Sequence, residues 1–208
     1  RNPAPDQAIL DENGIAAFNR EVVAKRLVRD LETWEPPESA SLTKEINGNI
    51  SWIASLKVYG PDGRRVNERF LSPIRKLVAE IELPQGADDG ANDVAPVLYG
   101  FLVRKTDLRV LPTNVPLFDG PGDPYSDNLQ ASSLEAGCAL VIQAATKDGE
   151  WLYVTTEKAS GWIVKASVAT VTKEAFLERY RAPDALTVID AKADLWLDPE
   201  RKRFACSV

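Results

Sequence analysis

The sequence of 208 residues contains no histidine. Histidine is the side chain that titrates near neutral pH, and catalytic triads, zinc sites and most general acid–base pairs use it. A chain without it is poorly equipped for most hydrolytic mechanisms. The sequence therefore predicts no catalytic residue among these 208 positions.

Cysteine is scarce, since Cys138 and Cys206 are the only two in the chain. They lie far apart, without the short spacings typical of metal sites, so we expect no metal and no cofactor. Cys206 lacks a histidine that would activate it as a nucleophile. The sequence favours inert thiols, with Cys138 packed as a small apolar side chain. A disulfide between the two is left open, because the sequence gives no geometry.

Methionine is absent and the first residue is Arg1, which indicates a processed or trimmed chain. A signal-peptidase cut, a lipoprotein anchor and a trimmed boundary remain as alternatives. The apolar run 204–208 suggests that the sequence stops within a domain. A run of about 18 apolar residues, as a membrane span requires, is also missing.

Positive charge is in deficit, because the formal net charge is −6. The densest basic stretches, around residues 63–65 and 200–203, are short and flanked by acids. Nucleic-acid binding needs clustered Lys and Arg, so we expect no nucleic-acid partner.

Helical spacing dominates the first 95 residues. The pattern predicts helices over residues 11–34, 42–56 and 70–83, with an interruption of the second near Gly48. Asp11 is the expected N-cap of the first helix and Pro36 with Pro37 its end. Ser72 followed by Pro73 fits the start of the third. We expect the apolar stripe of the first helix to pack on a neighbouring domain of the same chain: Ile15, Phe18, Val22, Leu27, Leu31 and Trp34.

Short strands separated by turn residues follow an acidic, glycine-containing linker at residues 84–93. Strands are predicted over residues 97–103, 106–111, 139–145, 151–155 and 161–164, with a long irregular stretch over 112–133. Asp148 and Gly149 form a strong hairpin signal. A short helix is expected over 173–181, and further strands over 186–188 and 195–197.

This order of strand, long loop, hairpin and short turn is the layout of an SH3-like barrel. The characteristic residues of these segments are Arg104, Lys105, Thr106, Asp107, Leu108, Arg109, Pro112, Thr113, Asp127, Gln130, Gly137, Asp148, Gly149, Glu150, Trp151, Val154 and Gly161, Trp162 and Ile163 through Ala169. With these residues, the segments resemble the bacterial SH3 domain of NlpC-type peptidoglycan endopeptidases, most closely over residues 96–170.

The resemblance implies an α+β chain with a helical N-terminal domain (1–95), a bacterial SH3-like barrel (96–172), and a linker helix with the beginning of a second SH3-like barrel (173–208). Such proteins carry a papain-like catalytic domain with its own Cys and His, which these residues do not contain. The implied role is cell-wall targeting and substrate gating in the cell envelope, periplasmic or secreted. The implied partners are a peptidoglycan stem peptide or glycan and the covalently linked catalytic domain.

Four residues are candidates for binding. Asp123, Tyr125 and Asp127 lie in the long loop, where the family places a tyrosine and acids that read the amine of a stem peptide. The alternative is a solvated loop whose aspartates cap their own backbone. Trp151 is balanced between a stacking platform and core packing, whereas core packing is favoured for Trp162.

Two other functions remain open. The chain is alternatively a stand-alone scaffold that binds peptidoglycan or a protein of the envelope. An enzyme in its own right is the third possibility, and the missing histidine is the main objection to it.

Overall fold

A computed structural model describes residues 10–84, 96–123, 125–182, 194–196 and 198–207. The described residues combine helices with antiparallel strands, as the α+β prediction requires. The elements are α1 (Glu12–Ala24), α2 (Ser39–Ser55), α3 (Glu68–Ala79), β1 (Leu98–Leu102), β2 (Thr106–Arg109), β3 (Gln130–Leu134), β4 (Ala139–Ala145), β5 (Trp151–Thr155), β6 (Ser160–Val164), a 3₁₀ turn (Lys165–Ser167), β7 (Val168–Val171), α4 (Lys173–Tyr180), β8 (Asp194–Trp196) and β9 (Phe204–Ser207).

Helix α1 begins at the predicted cap but is not packed as predicted. The Asp11 carboxylate accepts a hydrogen bond from the backbone N–H of Gly14, 2.7 Å away. No residue of α1 is buried by the described part of the chain, and Ile15 and Phe18 are exposed. Within the described residues, the expected packing on a neighbouring domain is therefore wrong for Ile15 and Phe18. The C-terminal end of the predicted stripe does pack, because Leu31 is buried with Val141 and Phe176, and Trp34 lies against them.

The predicted length of the first helix, residues 11–34, is also wrong. Arg26 adopts the left-handed backbone conformation, with φ of 56°. The N–H groups of Arg26 and Leu27 donate to the carbonyls of Val23 and Val22. This pairing closes a helix, and it normally has glycine at the left-handed position. The sequence offers no glycine there, which is why the end was misplaced.

Helices α2 and α3 differ from the prediction in detail. Helix α2 runs through Gly48 without interruption, because Leu42, Ile46, Ile50 and Ile53 bury one continuous face. Helix α3 starts earlier than predicted, since the Asn67 side chain accepts from the N–H of Arg69 at 2.9 Å. Ser72 is therefore not its cap, and Pro73 lies inside the helix.

The described residues form a seven-stranded antiparallel sheet in the order β3-β2-β6-β5-β4-β1-β7. Strands β4 and β5 have the predicted bounds. Strand β3, within and just after a stretch expected to be irregular, was missed. Its QASSL sequence has no β-branched or aromatic residue, and the strand is held by pairing with β2 and by burial of Leu134 in the barrel interior.

The helices and the sheet share a core. Buried residues of α2 and α3 pack in one cluster with Tyr153 and Trp162 of the sheet and with Leu111, Leu117 and Leu129 of the segment between β2 and β3. The interior of the barrel is a second cluster that includes Leu108, Val154 and Ile163. Apolar burial of this extent is the main stabilising term of a small domain. The division at residue 95 stays a prediction, and most of the predicted linker lies outside the described residues.

Helix α4 packs against β1. Phe176 is fully buried there, and its ring contacts those of Tyr99, Phe101 and Tyr180. Beyond it, β8 and β9 pair as an antiparallel hairpin. The predicted strand 186–188 lies outside the described residues, and the second barrel stays a prediction. In the described segments, no helix has the length and apolar character that crossing a membrane requires.

Candidate functional site

A buried ion pair organises the loop between β2 and β3, residues 110–129, hereafter the β2–β3 loop. Arg109 ends β2, and its side chain is only 4% exposed. Its Nη1 donates to Asp127 Oδ2 at 2.5 Å, Nε donates to the Thr113 carbonyl at 3.0 Å, and Nη2 donates to the Val115 carbonyl at 3.3 Å. One guanidinium thus ties together both ends of the loop.

Asp127 supports this loop from within. While its Oδ2 pairs with Arg109, its Oδ1 accepts hydrogen bonds from the N–H groups of Leu117 at 3.0 Å and Leu129 at 2.9 Å. Both oxygens are engaged inside the protein, and the side chain is 16% exposed. The structure places this candidate beneath the loop, and its contact with a ligand stays a prediction.

Asp123 and Tyr125 lie at the surface of the β2–β3 loop. Asp123 Oδ1 accepts from the backbone N–H of Tyr125 at 2.9 Å, which is the local turn that aspartate favours. The Tyr125 side chain is free of this turn, and the residue is 91% exposed. A large aromatic side chain that is exposed to solvent on an ordered loop is available for contact with a ligand.

Trp151 and Trp162 are on adjacent strands but in different environments. Trp162 is 1% exposed and meets Tyr153 edge to face, so its predicted core packing is confirmed. Trp151 is half-buried at the start of β5 and packs against the core shared with the helices. No hydrogen bond or ring contact in the described part of the chain joins Trp151 to the residues of the β2–β3 loop. Three of the four candidates therefore lie on the β2–β3 loop, whereas Trp151 lies on β5 and packs against the core cluster that also contains leucines of that loop.

Sequence reasoning missed Arg109 as the organiser of the loop. A charged residue within the apolar stretch 108–111 was the available signal, because a buried charge must be paired. It also missed the contact between barrel and helices in which the Tyr153 hydroxyl donates to Glu45 Oε1 at 2.7 Å. Burial, with help from Glu45, raises the pKa of Tyr153 well above its usual value.

Cys138 is a free thiol that packs, half-buried, against the barrel interior. Burial raises the pKa of this thiol, with a smaller contribution from the charge of Glu157. A raised pKa lowers the fraction of reactive thiolate at neutral pH. Across the described segments, no group of three or more Cys, Asp or Glu side chains is arranged to hold a metal ion.

Comparison with known proteins supports the fold described above. Residues 116–164 match the SH3 domain (SH3b1 type), a stretch that runs from within the β2–β3 loop to the end of β6. The fold is similar to a solved NlpC/P60 endopeptidase from Photobacterium damselae subsp. piscicida, with a TM-score of 0.63 and 18% sequence identity. The similarity covers 86% of this chain and 41% of that one, so this chain spans less than half of that protein. No curated protein is significantly similar to the sequence.

At 18% identity this likeness concerns the fold. It extends over helices and barrel together, because 86% of this chain cannot be covered by the barrel alone. The chain thus carries an SH3-like region preceded by helices, in an arrangement similar to that of an NlpC/P60 endopeptidase.

Proposed function

We propose that this chain is the wall-binding and substrate-gating region of a peptidoglycan-cleaving NlpC-type cysteine endopeptidase. The observation that carries the proposal is the similarity of fold to an NlpC/P60 endopeptidase across both helices and barrel. The SH3b1-type match at residues 116–164 supports it independently. The catalytic cysteine and histidine belong to a covalently linked domain outside these residues, and the protein works in the cell envelope, in the periplasm or after secretion.

The binding surface in this proposal is the tip of the β2–β3 loop. The Tyr125 ring offers an apolar face to a sugar or a peptide stem and a hydroxyl at its edge. Asp123 Oδ2 forms no hydrogen bond in the described part of the chain, so it is available to an ammonium group. Charge-assisted hydrogen bonds of this kind are about twice as strong as neutral ones.

Gating follows from the rigidity of the loop. The ion pair between Arg109 and Asp127 fixes both ends of the loop, because it engages carbonyls or N–H groups at Thr113, Val115, Leu117 and Leu129. A rigid loop beside a catalytic cleft admits some stem peptides and excludes others by shape. Its contribution to catalysis is therefore positioning of the substrate.

Cosedimentation with purified peptidoglycan sacculi tests the proposal. The wild-type chain is expected to bind, and Tyr125→Ala is expected to lower the affinity about tenfold or more, as truncation of an aromatic hot-spot residue does. Trp52→Ala is the matched control, because Trp52 is a half-exposed aromatic residue on α2 and is not part of the β2–β3 loop.

Two results would count against the proposal. Failure of the folded wild-type chain to bind sacculi would overturn the wall-binding role. Equal affinities of Tyr125→Ala and Trp52→Ala would remove Tyr125 from the binding surface. A protein that binds sacculi but has no linked catalytic domain would instead be the stand-alone scaffold.

A further inference from the structure

The described chain has a surface groove whose lining includes no residue of the β2–β3 loop. It lies between the segment after α1 and the turn between β5 and β6, residues 156–159. Its volume is about 690 Å³, and its walls include Val23, Leu27, Trp34 and Lys158. A volume of this order accommodates a small ligand or a few residues of a peptide.

The two walls of the groove are tied together. The backbone N–H of Arg29 donates to the Glu157 carbonyl at 2.6 Å, and its Nη1 donates to the Thr156 carbonyl at 3.4 Å. The Tyr180 hydroxyl donates to the Glu157 carboxylate at 2.9 Å. These contacts hold the groove in shape without a ligand, so binding would require little ordering of the protein.

Arg26 occupies the left-handed position that closes α1, with φ of 56°. Glycine is the usual residue there, and a side chain in this conformation costs about 1–2 kcal/mol. Arg26 lines the groove. Conformations of this kind recur at ligand-binding sites, where function retains a side chain that the backbone disfavours.

Cations in the groove are available to a ligand. Within the described part of the chain, the side chains of Arg26 and Lys158 form no hydrogen bond or salt bridge. Among the described residues, the Arg29 guanidinium donates to a backbone carbonyl and forms no salt bridge. Asp30, by contrast, accepts hydrogen bonds from the Glu32 N–H and the Thr33 hydroxyl. The groove therefore offers donors suited to a carboxylate.

The charge balance of the groove decides between classes of ligand. Its lining contains three cations, at Arg26, Arg29 and Lys158, and three acids, at Asp30, Glu35 and Glu157. A polyanion would be repelled by the acids, whereas a zwitterionic peptide meets both signs. Leu27, which is 68% exposed, and the half-buried Trp34 add apolar surface for such a peptide.

We propose that this groove is a second binding site for the peptide stem, in which Arg26 and Lys158 bind a carboxylate of the stem. The proposal rests on the wall-binding function proposed above and adds a site that is separate from Tyr125. A stem peptide that contains D-glutamate and a diamino acid carries both carboxylates and an ammonium group, which is the chemistry that the groove complements. Two separate contacts with one polymer raise the overall affinity through effective concentration.

Titration calorimetry with a synthetic stem tetrapeptide that contains D-glutamate and a diamino acid tests this site. The double variant Arg26→Gly/Lys158→Ala is expected to bind the peptide at least tenfold more weakly than the wild-type chain, as loss of charged hydrogen bonds implies. Glycine suits the left-handed position, so this variant keeps the end of α1 intact. Arg20→Ala is the control, because Arg20 is an exposed cation on α1 that forms no ion pair within the described segments and does not line the groove.

A second peptide, with its carboxylates converted to carboxamides, isolates the charged contact. It is expected to bind the wild-type chain and the double variant equally weakly. Equal binding of the acidic peptide by wild type and double variant would overturn the groove proposal, as would an equal loss in Arg20→Ala. If sacculus binding depends on Tyr125 but not on Arg26 and Lys158, the groove proposal fails while the proposed function stands. If the wild-type chain does not bind sacculi, both fail.

Discussion

Removing Arg109 is expected to unfold the β2–β3 loop and to destabilise the whole barrel. The substitution Arg109→Ala deletes three donors, to Asp127, Thr113 and Val115. It also leaves the Asp127 carboxylate, which is 16% exposed, without its cationic partner. An uncompensated charge in a buried position is the main cost of such a change.

The magnitude follows from the burial of the pair. Breaking a buried ion pair by removing one partner costs about 3–5 kcal/mol. The side chains of Arg109 and Asp127 are 4% and 16% exposed, so solvent screens little of this cost. The control is Lys105→Ala, because the pair of Lys105 and Glu135 is also a single salt bridge near the same sheet but is 66% and 61% exposed. An exposed pair contributes little to stability, and Lys105→Ala is expected to change it by only a small fraction of the Arg109 effect.

Urea unfolding followed by tryptophan fluorescence measures both variants, because Trp162, one of the five tryptophans, lies in the shared core. The double variant Arg109→Ala/Asp127→Ala completes a cycle and is expected to be less unstable than the sum of the two single variants, because it removes the orphaned charge. A loss below about 1 kcal/mol for Arg109→Ala, which is the range of exposed pairs, would refute the view that this ion pair holds the loop.

Two further predictions concern packing and pH. Gly161→Ala is expected to destabilise the barrel by roughly 1–3 kcal/mol in urea unfolding, the usual cost of overpacking, because an added Cβ would lie 2.7 Å from the Arg109 carbonyl oxygen. At Gly48 nothing lies within 4 Å of an added Cβ, so Gly48→Ala should instead stabilise α2. Equal effects on stability at the two positions would contradict the packing argument. Because the pKa of Tyr153 is raised in the folded state, the stability that it contributes is full below its unfolded pKa of about 10 and is lost as the pH rises above that value. Tyr153→Phe should therefore flatten the decline of stability above about pH 10, and an unchanged decline would show that other groups cause it.

Much of the fold is predictable because turn chemistry is local. Asp148 with Gly149 marked a hairpin, and Gly149 has the positive φ, 69°, that glycine permits. Strands β4 and β5, which flank this turn, consequently had the predicted bounds. The end of α1 was not predictable, because Arg26 occupies a position where glycine is the usual signal.

Tertiary contacts account for the remaining errors. Leu31 fits the apolar spacing of the first predicted helix, but it lies in the non-helical segment after α1. There it is buried beside Phe176 and Val141. Strand β3 has little intrinsic preference for extended structure and is held by its partner β2. Neither contact has a local signature, since the residues involved are far apart in sequence.

The candidate site was predicted by residue type but not by role. Asp123 and Asp127 are aspartates of the same loop, but Asp123 forms a surface turn whereas Asp127 forms a buried ion pair. The difference lies in Arg109, 18 positions from Asp127. Such a pairing follows only from the path of the chain, whereas the exposure of Tyr125 follows from its place among turn-forming residues.

The intact mass of the protein that carries this sequence in its natural source, with peptide mapping beyond residue 208, tests the central claim most directly. The account predicts a mass well above 22.9 kDa, which is the mass of this chain, and a downstream domain that contains both cysteine and histidine. A natural product of 22.9 kDa would contradict the proposed role within an endopeptidase and leave a binding protein without a catalytic domain.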